Sequence, residues 1–332
     1  MTEATKRRWA EEITAELKRR FGRTGTELTE IDSGWLNAKW KAETSEGPLF
    51  VKVYHPDRYK LHERPERRSA IETTLRLQRG LHEAEGACPA VHAHEGRLLQ
   101  ETSSGLLFAV HDWTDGATVR AGCMSEAQMY ELGLAAGRMH AWLRSEPPLE
   151  RPVWTPDKQA YLISWESNRE NAAAAGDETV LEWLSRSRSV VERLDFRSFD
   201  EAPVGWLHWD LWTDNLLFRG PKLAGIVDFD RMTFAYPEID AARAVLSGAL
   251  SDGRMRTDAV RAFLEGYREW TAAPFGMLSR AMRMIYLIES AWWYRTEIRV
   301  QSELRQLLGR FIEEMHWIEA HWETLSDELE AG

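Results

Sequence analysis

The segments HWDLWTDN, residues 208–215, and IVDFD, residues 226–230, decide how the rest of this sequence is interpreted. The first segment places a histidine, two aspartates and an asparagine in one short stretch, and the second ends an apolar run with Asp228. A carboxylate at the end of a buried strand is costly unless a cation or hydrogen-bond donors satisfy it. We therefore interpret Asp228 as a metal ligand.

The spacing of these segments fits phosphoryl transfer. That reaction needs a carboxylate to orient the attacking hydroxyl group, oxygen ligands for magnesium, and cations on the phosphates. Asp210 and Asn215, with four residues between them, match the H-x-D-x-x-x-x-N spacing of kinase catalytic loops. Together with Asp228 they supply the carboxylate and the metal ligands of a phosphotransferase.

The chain before residue 110 has the pattern of an antiparallel sheet with two helices. Trp9, Ile13 and Leu17 recur at helical spacing in the first helix, and residues 65–81 are predicted to form the second. The β-rich runs are separated by polar or Gly-containing turns, which is typical of antiparallel strands. The predicted strands cover residues 27–32, 38–44, 49–54, 97–100 and 106–110.

Residues 111–116 break the strand pattern, and the composition beyond them becomes predominantly helical. Helices are predicted at residues 125–143, 180–194, 239–250, 257–270, 277–300 and 303–325, with Ser125 as an N-cap. We predict an α+β fold with an antiparallel-sheet, nucleotide-binding N-terminal lobe at residues 1–109. A hinge at residues 110–116 leads to a mainly helical C-terminal lobe at residues 117–332, which carries the catalytic loop and the acceptor site.

Several motifs resemble the aminoglycoside phosphotransferase and choline kinase superfamily of small-molecule kinases. Residues 208–218 look like its catalytic loop, often written HGDLHPGNLL, and residues 225–240 look like its metal-binding IDWD or IDFD stretch. Residues 33–54 are similar to its nucleotide-binding hairpin. The resemblance implies a two-lobed, protein-kinase-like fold and an enzyme that uses ATP and Mg²⁺ to phosphorylate a hydroxyl group of a small molecule.

The resemblance also implies roles for the residues of the two motifs. Asp210 would be the catalytic carboxylate, and His208 would brace the catalytic loop. Asn215 and Asp228 would hold magnesium, and Asp230 is a further candidate ligand.

For the nucleotide, the resemblance implies that Lys52 contacts the α- and β-phosphates. Gly34 and Asn37 would lie in the nucleotide-binding turn. The segment that includes Val110 and Asp112 would present backbone groups to adenine.

Lys52 is expected to form an ion pair with a glutamate of the helix that follows its strand. Glu72 is the preferred partner, and Glu63 and Glu66 compete with it. His140 is interpreted as a packed, hydrogen-bonded histidine rather than a catalytic group.

The catalytic loop departs from the family pattern along its outer wall. Trp209 stands where the family commonly has glycine, and residues 212–214 replace the common His-Pro-Gly. Asp214 either binds a cation of the substrate or caps the following turn. Asp214, Glu289 and Glu297 favour a cationic acceptor, although the stretch 289–297 also fits core packing. The candidate acceptors are an aminoglycoside, homoserine, choline or ethanolamine, and a sugar-like metabolite.

The composition argues against several other classes of protein. The formal net charge is −11, and the basic clusters at residues 6–8 and 18–20 are interleaved with acids, so no nucleic acid partner is predicted. Cys88 and Cys123 are far apart and indicate neither a disulfide framework nor a zinc site. No run of about 18 apolar residues occurs, and the N-terminus is charged, so we expect a cytoplasmic protein without membrane contact.

Two alternative functions are considered. A metal-dependent hydrolase would use His208 with the four aspartates of the two segments, but it lacks the additional histidines typical of such sites and leaves Lys52 unexplained. A catalytically silent relative would only bind nucleotide or a partner, as a structural or regulatory protein. The presence of Lys52, Asp210, Asn215 and Asp228 argues against it.

Overall fold

The computed structural model describes residues 2–31, 38–301 and 304–330. It has the predicted α+β fold, with an antiparallel sheet and mainly helical secondary structure elsewhere. Contacts divide the chain into two units. The first unit comprises Met1–Gly116 and Ala224–Arg231, and the second comprises Ala117–Leu223 and Met232–Gly332. Gly34 and Asn37 lie outside the described residues, and the lobe boundaries drawn from the sequence stay a prediction.

Among the described residues, the first unit contains five complete strands, three α-helices and the end of a further strand. In chain order the complete strands and α-helices are α1 (Glu3–Phe21), β1 (Glu27–Glu30), β2 (Ala38–Glu43), β3 (Leu49–Tyr54), α2 (Pro56–Tyr59), α3 (Pro65–Glu83), β4 (Gln100–Glu101) and β5 (Leu107–Asp112). The strands form one sheet in the order β1-β2-β3-β5-β4, with antiparallel pairing throughout. Four of the predicted strands are confirmed with small shifts at their ends, whereas the strand predicted at residues 97–100 is replaced by β4, which shares only Gln100 with it.

The two faces of this sheet are covered by different helices. Because side chains alternate along a strand, Val51 and Val53 pack on the face that meets Trp9, Ile13 and Leu17 of α1. Lys52 and Tyr54 point to the opposite face, where Tyr54 joins a core with residues of α3. The alternation of β3 therefore decides on which side of the sheet Lys52 lies.

Most of the helices in the described part of the chain lie in the second unit. They are α4 (Glu126–Leu143), α5 (Lys158–Ala175), α6 (Glu178–Arg193), α7 (Glu238–Ala249), α8 (Thr257–Arg268), α9 (Met277–Trp293), α10 (Thr296–Arg299), α11 (Arg305–Ala320) and α12 (Leu325–Glu330). The short strands are β6 (Gly205–Leu207), β7 (Leu216–Arg219), β8 (Lys222–Ile226), β9 (Thr233–Ala235), β10 (Leu250–Ser251) and β11 (Arg254–Met255), and β8 runs from the second unit into the first. None of the described helices is both long enough and apolar enough to span a membrane.

Three helix predictions differ from the structure. The helix predicted at residues 303–325 ends at Ala320, and a separate helix, α12, begins at Leu325. Helix α5 was not predicted, although Tyr161, Trp165, Asn168 and Ala172 line its buried face at helical spacing. The helix predicted at residues 277–300 ends at Trp293, and Tyr294 leaves the helical conformation. The hydroxyl group of Tyr294 is 2.9 Å from Glu319 Oε1, and this buried hydrogen bond accompanies the break. The predicted N-cap at Ser125 is confirmed, because its side chain accepts from the backbone N–H of Gln128.

Glycines allow the backbones of α4 and α8 to touch. A Cβ atom at Gly266 would lie 2.2 Å from the carbonyl oxygen of Tyr130, and one at Gly133 would lie 2.0 Å from that of Phe263. Such distances are far below van der Waals contact, and both neighbours are backbone atoms that cannot move alone. The crossing of these two helices therefore requires glycine on each side.

We predict that Gly266→Ala destabilises the protein, although alanine favours helices over glycine by about 1 kcal/mol. Overpacking against the α4 backbone should lower the free energy of unfolding by about 1–3 kcal/mol, measured by urea denaturation. The matched control is Gly309→Ala in α11, where a Cβ atom would have no neighbour within 4 Å. The free energy of unfolding of the control should rise by up to about 1 kcal/mol. An equal rise in both variants would contradict close packing of α4 and α8.

Candidate active site

In the first unit, Lys52 forms a buried ion pair with two aspartates. Its side chain is on β3 and the residue is 3% exposed. The Nζ atom is 2.6 Å from Asp228 Oδ1 and 2.7 Å from Asp230 Oδ2. Burial alone would lower the pKa of Lys52, but the carboxylates of Asp230 and Asp228 raise it above its ordinary value. The ammonium group therefore stays charged.

Two tyrosines also donate hydrogen bonds to Asp230. The hydroxyl group of Tyr59 donates to Asp230 Oδ2 at 2.8 Å, and that of Tyr54 donates to Oδ1 at 3.4 Å. Sequence reasoning assigned neither tyrosine to the site. For Tyr54 a signal was available, since it lies two residues after Lys52 and so shares its face of the strand. For Tyr59 no comparable signal exists, because it ends the short helix α2 and does not share the alternation of β3.

Asp228 has an unusual backbone conformation. Its φ is 62°, in the left-handed region that costs a non-glycine residue about 1–2 kcal/mol. Two lysines lie beside its carboxylate, because Lys39 Nζ is 3.5 Å from Oδ2 in addition to the contact with Lys52. These ion pairs offset the strain and fix the direction in which the carboxylate points.

The carboxylates of Asp228 and Asp230 suit a magnesium ion in chemical type. Magnesium in phosphate-binding sites is held through one or two carboxylates, with phosphate oxygens and waters completing the octahedron. The side chain of Asp228 is 32% exposed, so a ligand can reach it. In the described part of the chain, no cluster of three or more His, Cys, Asp or Glu side chains is arranged to hold a metal ion by itself. The two aspartates can therefore supply the carboxylate ligands of a magnesium site that phosphate oxygens complete.

In the second unit, the structure brings Asp210 and Asn215 together. Asn215 Nδ2 donates to the carbonyl oxygen of Asp210 at 2.8 Å and to its Oδ2 at 3.3 Å. The backbone N–H of Trp212 also donates to the Asp210 carbonyl, at 2.9 Å. Because Asn215 uses its NH₂ group in these bonds, its side-chain oxygen, the atom that can bind a metal, points away from them.

A buried carboxylate anchors the start of this loop. Asp240, at the beginning of α7, is fully buried and accepts from the backbone N–H groups of His208 at 2.7 Å and Trp209 at 2.8 Å. Its Oδ2 also lies 3.1 Å from His140 Nε2, and His140 Nδ1 lies 2.8 Å from the hydroxyl group of Tyr267. We assign the His140 proton to Nε2, since Asp240 can only accept. The interpretation of His140 as a packed, hydrogen-bonded residue is confirmed.

The conformation of Trp209 explains why glycine is common at its position in the family pattern. Its φ is 69°, which favours glycine, and Asp240 Oδ1 holds its N–H group. His208 is fully buried, and its Nδ1 accepts from the backbone N–H of Asp210 at 3.3 Å. The side chain of His208 therefore contacts the backbone of the loop it belongs to.

Lys52 does not form the expected ion pair with Glu72. Glu72 is exposed and pairs with Arg68 at 3.2 Å. Glu63 and Glu66 are also exposed. Lys52 instead pairs with Asp228 and Asp230. These aspartates are far from Lys52 in the sequence, so the residues that follow β3 gave no indication of them.

The backbone around Val110 and Asp112 is engaged within the first unit. The Val110 carbonyl accepts from the N–H of His92 at 2.8 Å, and the Asp112 N–H donates to the Ala90 carbonyl at 3.0 Å. Val110 is fully buried, and Asp112 is exposed with its Oδ1 at 2.7 Å from His92 Nε2. A nucleotide contact in this segment would therefore add to existing hydrogen bonds.

The acidic residues considered for a cationic acceptor differ in their surroundings. Glu289 pairs with the buried Arg243 and accepts from Trp293 Nε1 at 2.6 Å. Glu297 pairs with Arg295 at 2.5 Å, and Asp214 is exposed. Two of the three charges are thus balanced by arginines. Sequence reasoning missed Arg243, because nothing in an alanine-rich helix marks it as different from a surface residue.

Comparison with known sequences supports the resemblance. A sequence model of the phosphotransferase enzyme family matches residues 27–275. Homoserine kinase of Methylobacterium radiotolerans is 26% identical over 242 residues, covering 71% of this chain and 69% of that protein. Homoserine kinase of Agrobacterium fabrum is 25% identical over 241 residues, covering 72% of this chain and 69% of that protein.

Solved structures of similar fold include three kinases. A microcompartment-associated aminopropanol kinase has a TM-score of 0.64 at 18% identity, with 96% of this chain and 98% of that chain covered. A spectinomycin phosphotransferase in complex with ADP and spectinomycin has a TM-score of 0.61 at 15% identity, with 96% and 98% covered. Amicoumacin kinase in complex with AMP-PNP and Ca²⁺ has a TM-score of 0.61 at 14% identity, with 95% and 96% covered. At these identities the likeness shows the fold, and it confirms the predicted α+β, protein-kinase-like class.

We predict that Asp240→Asn destabilises the protein and weakens its activity. Asp240 accepts from the two backbone N–H groups through different oxygens, and asparagine replaces one of these oxygens with an NH₂ group that can only donate. One buried N–H group therefore loses its acceptor, which costs about 1–3 kcal/mol. Urea denaturation should show this loss, and kcat should fall because Trp209 and Asp210 lose their fixed position.

The control for Asp240→Asn is Asp258→Asn, an exposed position at the start of α8. Its free energy of unfolding should stay within about 0.5 kcal/mol of the starting protein. Equal stability of the two variants would show that the hydrogen bonds of Asp240 do not support the loop.

Proposed function

Since this chain belongs to the phosphotransferase enzyme family, as the resemblance predicted, we propose that it transfers the γ-phosphate of ATP to a hydroxyl group of a small molecule with the help of magnesium. The observation that carries this proposal is the buried Lys52, whose ammonium group contacts both Asp228 and Asp230. Phosphates bind to a cation, and magnesium binds to carboxylates. The side chains of Lys52, Asp228 and Asp230 supply both kinds of group at one place. Family membership decides against the metal-dependent hydrolase.

In this proposal Lys52 binds the α- and β-phosphates of the nucleotide. An ammonium group has three donors, and two of them now meet carboxylate oxygens. Burial increases the strength of such contacts, because little water screens them. A phosphate oxygen would therefore find at Lys52 a charged donor that the protein has already positioned.

Asn215 and Asp228 are the proposed ligands of magnesium, with Asp230 as a supporting carboxylate. When bound, magnesium neutralises the charge on the phosphate oxygens. Asp228 fits this role through its exposure and its fixed backbone, and Asp230 fits a supporting role because two tyrosines already occupy its oxygens. The side-chain amide of Asn215 holds Asp210 and leaves its oxygen for the metal.

Asp210 is proposed to orient the acceptor hydroxyl group and to receive its proton. The hydrogen bonds from Asn215 fix the direction of the carboxylate, and His208 supports the backbone beneath it. Phosphoryl transfer relies mainly on such positioning and on electrostatic stabilisation. The residues of the loop therefore supply orientation rather than a covalent intermediate.

The relatives support a polar metabolite or a drug as the proposed acceptor. Two of them are homoserine kinases, and the structural neighbours include kinases for aminopropanol and spectinomycin. The complexes with ADP and AMP-PNP support ATP as the phosphate donor. We keep homoserine, aminoglycosides, choline or ethanolamine, and sugar-like metabolites as the acceptors to be tested.

We predict that the protein releases ADP from Mg-ATP when one compound of this acceptor panel is present. Asp210→Ala should nearly abolish transfer and leave ATP binding largely intact, because Asp210 acts on the acceptor. Coupled ADP release and calorimetric nucleotide binding are the two measurements. The exposed variant Asp258→Asn should retain the activity.

Full activity of Asp210→Ala would contradict the assignment of the catalytic carboxylate. Binding of Mg-ATP without turnover on any acceptor would support the catalytically silent alternative.

A magnesium titration tests Asp228 separately. Asp228→Asn should raise the magnesium concentration for half-maximal activity at least about tenfold, because the metal loses a charged ligand. Lys52 keeps Asp230 as its partner, so the variant should fold. Asp57→Asn, an exposed position of the same unit, should leave the titration unchanged. An unchanged titration in Asp228→Asn would exclude this residue as a ligand.

A further inference from the structure

A buried group of charged side chains lies beside the catalytic loop in the second unit. Arg243 of α7 is 3% exposed, and Glu314 of α11 is fully buried. Glu289 of α9 and Arg310 of α11 complete the group. Buried charges normally have all of their hydrogen bonds satisfied. This group does not follow that rule.

Arg243 uses one of its three nitrogens. Nη2 donates to Glu289 Oε1, whereas Nε and Nη1 are buried and have no hydrogen-bond acceptor among the residues that the structure describes. The N–H groups of an arginine lie in the plane of its guanidinium group. Arg243 Cζ lies over the ring of Trp212, 4.9 Å from the ring centroid. The ring offers these N–H groups no oxygen or nitrogen acceptor, so the Nε and Nη1 donors of Arg243 stay available to a ligand.

Glu314 shows the complementary deficit. Its Oε1 is 3.0 Å from Arg310 Nε, but neither carboxylate oxygen accepts a hydrogen bond of acceptable geometry from the described residues. Burial raises the pKa of Glu314 to about 8, although Arg310 and Arg243 lower it, so the group ionises readily when a cation binds beside it. Unused donors on a cation and unused acceptors on an acid thus occur in one cluster. A ligand that satisfies both must itself carry an acceptor group and a donor group.

The cluster is close to the proposed reaction centre. Trp212 follows Asp210 by two residues, and the charge of Asp210 contributes to the attraction that raises the pKa of Arg243 against the effect of its burial. The ring of Trp212 meets Phe311 at 4.5 Å, and Phe311 stacks on Trp293 at 4.2 Å. Trp212 and Glu289 are partly exposed, so the cluster reaches the surface of the unit through them. Aromatic walls and charged ends suit a short molecule with an apolar carbon chain.

Resting on the proposed function, we propose that Arg243 and Glu314 select the acceptor: Arg243 binds a carboxylate and Glu314 binds an ammonium group of a zwitterionic amino acid whose side chain bears the hydroxyl group. Guanidinium and carboxylate groups match in shape and charge. Aminoglycosides, choline and ethanolamine lack the carboxylate. The cluster therefore distinguishes hydroxy amino acids from the other acceptors of the panel.

The test compares three compounds that differ in one group each. Homoserine has both charged groups, 3-aminopropan-1-ol lacks the carboxylate, and 4-hydroxybutanoate lacks the ammonium group. We expect efficient transfer to homoserine and poor transfer to the other two. Arg243→Met should raise KM for homoserine about 10- to 100-fold, as expected for loss of hydrogen bonds to a charged group, with KM for ATP unchanged.

Glu314→Gln protects the test against misfolding of the first variant, because glutamine keeps the size of the buried side chain. It should raise KM for homoserine and leave KM for 4-hydroxybutanoate unchanged. Calorimetric binding of homoserine to each variant provides a readout that does not depend on turnover.

The possible failures are distinguishable. No transfer from Mg-ATP to any compound of the acceptor panel would overturn the proposed function and this inference with it. Equal transfer to homoserine and 3-aminopropan-1-ol would overturn the inference alone. An unchanged KM for homoserine in both variants would do the same, and so would an equal loss of kcat on all acceptors, which indicates a purely structural role.

Discussion

The ion pair of Lys52 with Asp228 and Asp230 is the interaction on which the first unit depends. Placing an ammonium group inside a sheet removes it from water, and only nearby carboxylates make the charged form stable there. The pair fixes the segment after β8 against β3, and Tyr59 holds the same segment through Asp230. The groups proposed to act on phosphates are thus also the groups that stabilise this part of the fold.

The second unit uses a buried carboxylate in a related way. Asp240 holds two consecutive backbone N–H groups at the start of the catalytic loop, where Trp209 adopts a left-handed conformation. Asp228 has a similar φ in the first unit, and there the strain is offset by ion pairs. Both positions combine an unfavourable backbone conformation with strong polar contacts. This combination is frequent where a protein must aim a side chain at a ligand.

The sequence predicted the features that depend on local pattern. The alternation of β3, the helical spacing of Trp9, Ile13 and Leu17, and the approach of Asn215 to Asp210 all follow from residues close to one another in the chain. The partners of Lys52 and the burial of Arg243 were missed, because both depend on residues more than 40 positions away. Helix α5 was missed for a different reason, since its exposed face is rich in polar residues and alanine and hides a narrow buried stripe. Long-range pairing thus marks the limit of what the sequence alone shows for this site.

The first unit is built from two separate stretches of chain, and this has a consequence for protein synthesis. Asp228 follows Lys52 by 176 residues, and the whole helical segment from Ala117 to Leu223 lies between them. A nascent chain that has left the ribosome up to residue 116 contains the entire five-stranded sheet but neither carboxylate for its lysine. The sheet can reach its final state only after translation has passed residue 231, so a fragment cut at the end of the sheet would expose or misplace the very charge that the complete chain buries.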